Sequence, residues 1–247
     1  MSYFNYPFYI FFGILPSLIW LQFYLRRDVH PEPKSMILKI FFYGMLSTLP
    51  AFFLEIAIFE ETEKLNLSSS LVFILNMFLG VAFIEESLKF LVVREKVLNN
   101  PEFDEPVDAM IYMIIAALGF AAAENIIIFL PLKSPLSEIF EISLFRFLGA
   151  TFLHALSSGT LGFFIGLSFF KKEKRGELTF LGIIVATFLH GLYNLSLTRF
   201  DLISFLPRNI IQLGKNLVIL LPPIILISMA IIVSFCFKRL RKLVKTI

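Results

Sequence analysis

The most constraining feature of this sequence is an apolar run, Leu71–Val93, that contains two adjacent glutamates and a lysine. About 20 residues of helix, at 1.5 Å each, are enough to cross the hydrocarbon of a bilayer. Glu85 and Glu86 are therefore predicted to lie at membrane depth, where ionised groups are costly and mark functional sites. Lys89 follows them by four and three residues, the spacings at which a helical lysine reaches a glutamate. The run predicts an acidic site inside a membrane.

Composition places the whole chain in a membrane. Of its 247 residues, 57% are hydrophobic and 17% are charged, and 31 are Phe. A soluble domain of this length has too little interior for that much apolar surface, so we predict an integral membrane protein. The single cysteine, Cys236, excludes an intramolecular disulfide and a cysteine-rich metal site. The basic tail Lys238–Lys242 directly follows an apolar segment, which is typical of a cytoplasmic membrane anchor and not of a nucleic-acid site.

Hydropathy predicts an all-α fold, a polytopic bundle of about seven transmembrane helices in a single integral-membrane domain, 1–247. A further apolar stretch, Phe200–Gly214, contains Pro207 and Arg208, and we expect it to be interfacial, re-entrant or an eighth span. The seven predicted spans are Phe4–Leu25, Met36–Phe59, Leu71–Val93, Val107–Leu130, Leu144–Phe170, Leu178–Leu197 and Leu217–Phe237.

Basic residues are divided unequally between the two sides of this bundle. The loops after the first, third and fifth spans, with the C-terminal tail, hold fifteen Lys and Arg, whereas the opposite side holds six. The positive-inside rule then predicts a cell-membrane protein with its N-terminus outside and its C-terminus in the cytoplasm. The first span has no basic segment before it and runs into Arg26-Arg27, so we expect it to be retained and not cleaved as a leader.

Three further spans carry polar groups at membrane depth. The fourth contains the pair Glu124-Asn125, the fifth His154, and the sixth His190 with Asn194 one helical turn later. Any one of these side chains is compatible with a hydrogen bond that merely bridges two helices. Buried together, two glutamates, two histidines and an asparagine from several helices indicate a cavity suited to hydrolysis, metal binding or proton coupling.

Other residues of these spans have structural explanations. Gly159, Gly162 and Gly166 recur on one face of the fifth span, and such small residues are typical of close helix packing. Arg146 and Asp108 lie near the ends of predicted spans, where we expect interfacial anchors or loop partners.

Several familiar catalytic motifs are missing from the sequence. It contains no His-Glu-x-x-His, no Gly-x-Ser-x-Gly and no Gly-x-Gly-Asp, and it has neither a P-loop nor a dinucleotide-binding glycine pattern. What remains is Glu-Glu-x-x-Lys, Glu-Asn, His-x-x-x-Ser and His-x-x-x-Asn on successive spans.

This order of motifs resembles the PrsW-type intramembrane proteases, relatives of the CAAX-prenyl endopeptidase and of bacteriocin-processing membrane proteins. The resemblance covers about 84–194, and it places the catalytic core at about 71–198. Each motif alone is weak, but five in order are fairly specific. The matching stretches are Glu85–Lys89, Phe103–Asp108, Gly119–Asn125, Phe152–Gly159 and His190–Asn194.

The resemblance implies a glutamate-dependent peptidase that needs no cofactor and cuts a membrane-anchored protein in or near its span. Glu85 would be the general base that activates water, although Glu86 remains an alternative base. His154 would help to hold the water, and His190 and Asn194 would donate hydrogen bonds to the oxyanion of the tetrahedral intermediate. Supporting positions are implied for Lys89, Glu124, Asn125 and Ser158. No particular role follows for Glu124, although a position in the fourth span could orient His154.

Three other functions remain open from the sequence. The first is a zinc-dependent protease in which Zn²⁺ is bound by Glu85, Glu86, His154 and His190. The second is a proton- or ion-coupled carrier, which predicts two related halves that the sequence does not show. The third is a membrane scaffold, which leaves the polar cluster without an explanation. Besides a protein substrate and the lipid bilayer, no partner is predicted, and nucleic acid is not expected.

Overall fold

A computed structural model describes residues 6–27, 30–197 and 219–244, and within these ranges it is helical with no strand. The predicted stretch Phe200–Gly214 lies outside the described residues. The elements are α1 (Tyr6–Leu25), α2 (Lys34–Glu63), α3 (Ser69–Leu75), a π-helical segment (Asn76–Phe83), α4 (Ile84–Lys96), α5 (Asp108–Leu132), α6 (Leu136–Leu148), α7 (Ala150–Leu167), a 3₁₀ turn (Lys172–Lys174), α8 (Arg175–Leu197) and α9 (Leu221–Val244).

The predicted all-α fold with about seven spans is confirmed. Among the described residues, seven helical stretches are long and apolar enough to cross a membrane. Two of them are composite: Ser69–Lys96 joins α3, the π segment and α4, and Leu136–Leu167 joins α6 and α7. Large apolar side chains such as Phe53, Phe145 and Ile231 are about two-thirds exposed or more. An exposed apolar surface of this kind is what a helix bundle presents to lipid.

Helix α5 is the centre of the bundle. In its most apolar window 67% of the residues are buried, against 28–39% for the other candidate spans. It packs against α1, α2 and α7. Two glycines allow α2 and α5 to approach closely, because a Cβ on Gly44 would lie 2.1 Å from the Ala116 carbonyl oxygen and one on Gly119 would lie 2.0 Å from that of Phe41. A helix that is apolar on every side, as α5 is, is expected to be enclosed by others.

The glycines of α7 have the structural role that we predicted. A Cβ on Gly162 would lie 2.6 Å from the Ala109 carbonyl oxygen, and one on Gly166 would lie 2.4 Å from that of Pro106. Close contact along this face brings α7 against the start of α5, in the way that small residues allow in membrane bundles.

Two local features differ from the uniform helices that we predicted. The fifth span begins earlier than Leu144 and is broken at Gly149, where the backbone leaves helical geometry between α6 and α7. Tyr193 of α8 fills the space beside Gly149, since a Cβ there would lie 2.6 Å from its hydroxyl. In the third span the π segment Asn76–Phe83 ends immediately before Glu85. Such wider turns change the direction of the side chains that follow and often occur at functional sites.

Candidate active site

The predicted acidic pair lies at the start of α4, inside the bundle. Glu85 is 4% exposed, and Glu86 and Lys89 are 0% exposed. The Lys89 ammonium donates to Glu85 Oε2 at 3.0 Å and to Glu86 Oε1 at 2.9 Å. The predicted helical contacts at i, i+4 and i, i+3 are therefore both present, and one ammonium is shared by two carboxylates.

Glu86 is the more heavily occupied of the two carboxylates. Besides Lys89, it accepts hydrogen bonds from Ser157 Oγ at 3.0 Å and from Ser158 Oγ at 2.6 Å, and its Oε1 lies 2.9 Å from His190 Nδ1. These partners come from α7 and α8, so Glu86 joins three helices. With both oxygens engaged, its carboxylate is fixed in place.

Glu85 has fewer partners. Among the described residues its one hydrogen bond is the bond from Lys89 to Oε2. His154 Nδ1 lies 3.5 Å and His190 Nε2 3.9 Å from the same oxygen, which is beyond ordinary hydrogen-bond length. Glu85 therefore keeps acceptor capacity on the side where both imidazoles converge.

His154 is held between a cation and an anion. Its Nδ1 lies 2.8 Å from Lys89 Nζ, and its Nε2 lies 3.0 Å from Glu124 Oε2. Lys89 can only donate and an ionised Glu124 can only accept, so the ring is assigned as neutral with its proton on Nε2. Glu124 is thus the group of the fourth span that contacts His154, a role that the sequence left unassigned.

Glu124 is itself held by Arg146 of α6, whose Nη2 donates to Oε2 at 2.7 Å. Arg146 also donates from Nε to Asn125 Oδ1, and Asn125 Nδ2 donates to the Gly13 carbonyl of α1 at 3.0 Å. The prediction of Arg146 as an interfacial anchor or loop partner is wrong, because its side chain is 16% exposed and packed into the bundle. Asp108, in contrast, does bond to its own loop, as predicted.

The two predicted oxyanion donors are placed differently. His190 is 2% exposed, and its ring lies edge-on to that of His154 with centroids 5.1 Å apart. Asn194 follows one turn later on α8 and is half-buried. Among the described residues no hydrogen bond joins Asn194 to the glutamates, so the structure brings His190 into the cluster but leaves Asn194 at its edge.

Three of the four predicted zinc ligands can also face one point. One donor atom each from Glu85, His154 and His190 lie within 4.8 Å of one another, whereas Glu86 is not part of this group. Two histidines and a glutamate are a catalytic zinc donor set, and a carboxylate behind each imidazole is the usual support of such ligands. Here Glu124 stands behind His154 and Glu86 behind His190. The ammonium of Lys89, however, already contacts two of the three donor groups.

Two features of the site were not predicted from the sequence. The first is the π segment before Glu85. The second is Glu55 of α2, a half-buried carboxylate that lies within electrostatic range of Glu85, Glu124 and Lys89. Glu55 is the single acidic residue in the predicted span Met36–Phe59, and that isolation inside an apolar run was the signal that marks it.

Comparison with known proteins agrees with the geometry. The profile of a family described as PrsW family intramembrane metalloprotease matches residues 32–229. The chain is 32% identical over 183 residues to Protease PrsW of Geobacillus kaustophilus (strain HTA426), covering 74% of this chain and 76% of that protein. It is 32% identical over 188 residues to Protease PrsW of Bacillus subtilis (strain 168), covering 75% and 81%. No solved structure gives a significant match. The chain therefore belongs to the PrsW family and is a multi-pass intramembrane protease.

Proposed function

We propose that this protease hydrolyses a peptide bond in or near the transmembrane span of a membrane-anchored protein, with Glu85 as the base that activates water. The observation that carries the proposal is the unequal occupation of the two adjacent carboxylates. Glu86 is bound by groups from α4, α7 and α8, while Glu85 accepts one hydrogen bond among the described residues. A general base needs a free lone pair within reach of the water that it deprotonates.

The neighbours of Glu85 support the same assignment. The Lys89 ammonium donates to Glu85 Oε2 at 3.0 Å and fixes one oxygen of the carboxylate. His154 is restrained by Lys89 and Glu124 beside Glu85, so it lines the position of the water. These contacts hold the site in one arrangement before substrate arrives.

The oxyanion formed by water attack needs donors. His190 binds Glu86 through Nδ1, which leaves Nε2 directed toward Glu85. A donor at Nε2 would bind the oxyanion while Nδ1 keeps its contact with Glu86. Asn194 lies on the same helix one turn away, where a shift of its side chain brings a second donor. Preorganised donors of this kind are typically worth about 10²–10³ in rate.

A metal-dependent version of the same hydrolysis is favoured by a different observation. The donor atoms of Glu85, His154 and His190 are close enough to share one cation, and each imidazole is supported by a carboxylate. A bound Zn²⁺ would supply a Lewis acid and a more acidic water. Lys89 would then have to leave His154 while keeping its contact with Glu86. Because that rearrangement is not needed without a metal, we place the metal-free version first.

The two versions are separated by cleavage of a single-span protein substrate reconstituted in liposomes with the purified protease. We expect Glu85→Gln, which keeps the shape and removes the base, to lower the cleavage rate by about 10² or more, and we expect a chelator to leave wild-type cleavage unchanged. The matched control is Glu61→Gln, which removes an exposed carboxylate at the end of α2 and should cleave as wild type does. Chelator inhibition that added Zn²⁺ reverses would move the metal version to first place, and cleavage by Glu85→Gln at a rate close to that of wild type would refute Glu85 as the base.

The orientation that we propose keeps the N-terminus outside and the C-terminus in the cytoplasm. Its support is the excess of Lys and Arg on the side of the C-terminal tail. Single cysteines introduced at Gly176 and at Ser134, in a variant with Cys236 replaced by Ser, test it through labelling of intact cells by an impermeant maleimide. We expect labelling at Ser134 and none at Gly176, and the reverse pattern would overturn the orientation.

A further inference from the structure

A groove between α1 and α9 is not used by the hydrolytic site. Two adjoining cavities of about 620 Å³ and 230 Å³ form it, and Trp20, Phe152 and Lys238 line both of them. The larger cavity is bounded mainly by apolar side chains of α9 and by the α6–α7 break. The smaller one adds Arg27 and Arg241 to Lys238, so that one end of an apolar groove carries three basic residues.

The basic end of this groove has donors without acceptors. Nε and Nη2 of Arg241 are buried and have no hydrogen-bond partner among the described residues. The guanidinium of Arg241 lies 5.9 Å from the Phe237 ring, and that of Arg27 lies 4.9 Å from the Phe23 ring. Buried donors that bind nothing cost free energy, and a guanidinium fork is best satisfied by the paired oxygens of a phosphate or carboxylate. Among the described residues, no acidic group therefore satisfies these donors.

The apolar part of the groove is long enough for an acyl chain, and one of its walls is held rigidly in place. From Lys238 back to Pro223 the groove follows sixteen residues of α9, which is about 22 Å of helix and more than the ~15 Å of hydrocarbon in one leaflet. One wall is rigid, because Trp20 stacks on Phe152 with ring centroids 4.0 Å apart and donates to the Phe147 carbonyl at 2.8 Å.

We propose that this groove binds one anionic phospholipid, with its phosphate at Arg27, Lys238 and Arg241 and one acyl chain along α9. Basic pockets between transmembrane helices on the cytoplasmic side are suited to anionic headgroups, and these residues belong to the strongly basic side of the bundle. An uncharged transmembrane helix in the same groove would fill the apolar part and leave the Arg241 donors unsatisfied. The charge at one end thus selects a lipid over an apolar helix.

Trp20 is the single tryptophan of the chain and lies in the groove wall, so it reports occupancy directly. Purified full-length protein in zwitterionic micelles is titrated with phosphatidylglycerol brominated in mid-chain, and separately with the matching phosphatidylcholine. The titrations use about 0.5 M salt, at which surface charges interact only over a few ångströms. We expect quenching of Trp20 at a roughly ten-fold lower mole fraction of phosphatidylglycerol. Each nearby basic residue is worth about five-fold at physiological salt, and screening should reduce this to about two-fold for each of the three residues.

Two pairs of substitutions test the position of the site. Arg241→Gln with Lys238→Gln removes two charges from the groove. We then expect the two lipids to quench Trp20 at mole fractions that differ by no more than about two-fold. The matched control, Arg239→Gln with Lys242→Gln, removes two exposed charges from the same tail and should keep most of the preference. Glycerol 3-phosphate, which has the headgroup chemistry without the chains, should not reverse the quenching.

Three outcomes would overturn the proposal: equal quenching of the wild type by the two lipids, an equal loss of preference in the control pair, or complete reversal by glycerol 3-phosphate. The wild-type comparison of the two lipids does not depend on whether the variants fold. None of these measurements uses peptide cleavage, so the result is independent of the hydrolytic mechanism.

Discussion

Buried acidic groups occur in two regions of this bundle, and they are held in different ways. At the start of α5, Asp108 Oδ2 accepts the backbone N–H groups of Asp104 and Glu105 at 3.1 and 2.7 Å, and the Tyr112 hydroxyl donates to Glu32 Oε2 at 2.5 Å. Within the span Ser69–Lys96, Glu85 and Glu86 instead face a lysine and two histidines.

The difference shows that burial alone does not mark a reactive carboxylate. Two partners of Asp108 are neutral backbone donors of its own loop, three and four residues away, which fix the turn before α5. The partners of Glu86 come from three helices and include groups that can change charge. We therefore expect substitutions in the central cluster to affect cleavage first and those at the start of α5 to affect stability first.

The largest effect is expected for Glu85→Gln. Loss of a general base typically lowers the rate by about 10²–10⁴, while the amide keeps the shape and can still accept from Lys89. Cleavage of a reconstituted substrate and thermal unfolding in micelles are measured on the same preparation. A large loss of stability with little loss of rate would mean that Glu85, like Asp108, is a structural carboxylate, and it would contradict the difference drawn between the two regions.

Lys89→Met should have the next largest effect, now on stability as well. Removing the ammonium leaves two adjacent buried carboxylates without their shared cation, and breaking a buried pair in this way costs about 3–5 kcal/mol. The free energy of unfolding in micelles measures the loss. The double variant Lys89→Met/Glu86→Gln should recover part of it, because one uncompensated charge is removed, and no recovery would argue that the two groups are not coupled.

Glu124→Gln tests the support of His154. The amide oxygen can still accept from the imidazole, but the ion pair with Arg146 is lost. We expect kcat to fall by about 10–100-fold, as for other residues that orient an imidazole, with KM changed much less. A change confined to KM would indicate that Glu124 contacts substrate and does not act through His154.

Asp108→Ala should separate stability from catalysis. Two backbone donors in the loop before α5 lose their acceptor, which costs about 1–3 kcal/mol in unfolding free energy. The rate of cleavage at saturating substrate should stay within about three-fold of wild type, since the substitution does not touch the cluster. A larger loss of rate than of stability would mean that the start of α5 controls the site.

The smallest effect is expected for Tyr112→Phe, which removes one hydroxyl from Glu32 and changes no charge at neutral pH. A single such hydrogen bond contributes about 1 kcal/mol. Unfolding in micelles should show a loss of this size, with cleavage unchanged. Together with Asp108→Ala, this variant sets the scale for purely structural polar contacts against which the central substitutions are compared.

The sequence by itself determined the spans, the all-α class and the residues of the acidic cluster. Hydropathy and helical spacing are local properties, so the run around Glu85 was recognisable as a span, and its contacts with Lys89 follow from i, i+3 and i, i+4 geometry. Glu124, His154 and His190 were recognisable for the same reason, because each is a costly polar group in an apolar helix.

Only the tertiary structure decided which of those side chains contact Glu86 and which contact Glu85. The serines of α7 and His190 of α8 occupy Glu86 and leave Glu85 available, and no spacing within α4 distinguishes the two. Arg146 of α6 contacts Glu124 of α5, and the π segment ends immediately before the glutamates. These contacts join residues more than 20 positions apart, and their geometry depends on how whole helices pack, which the local sequence pattern does not encode.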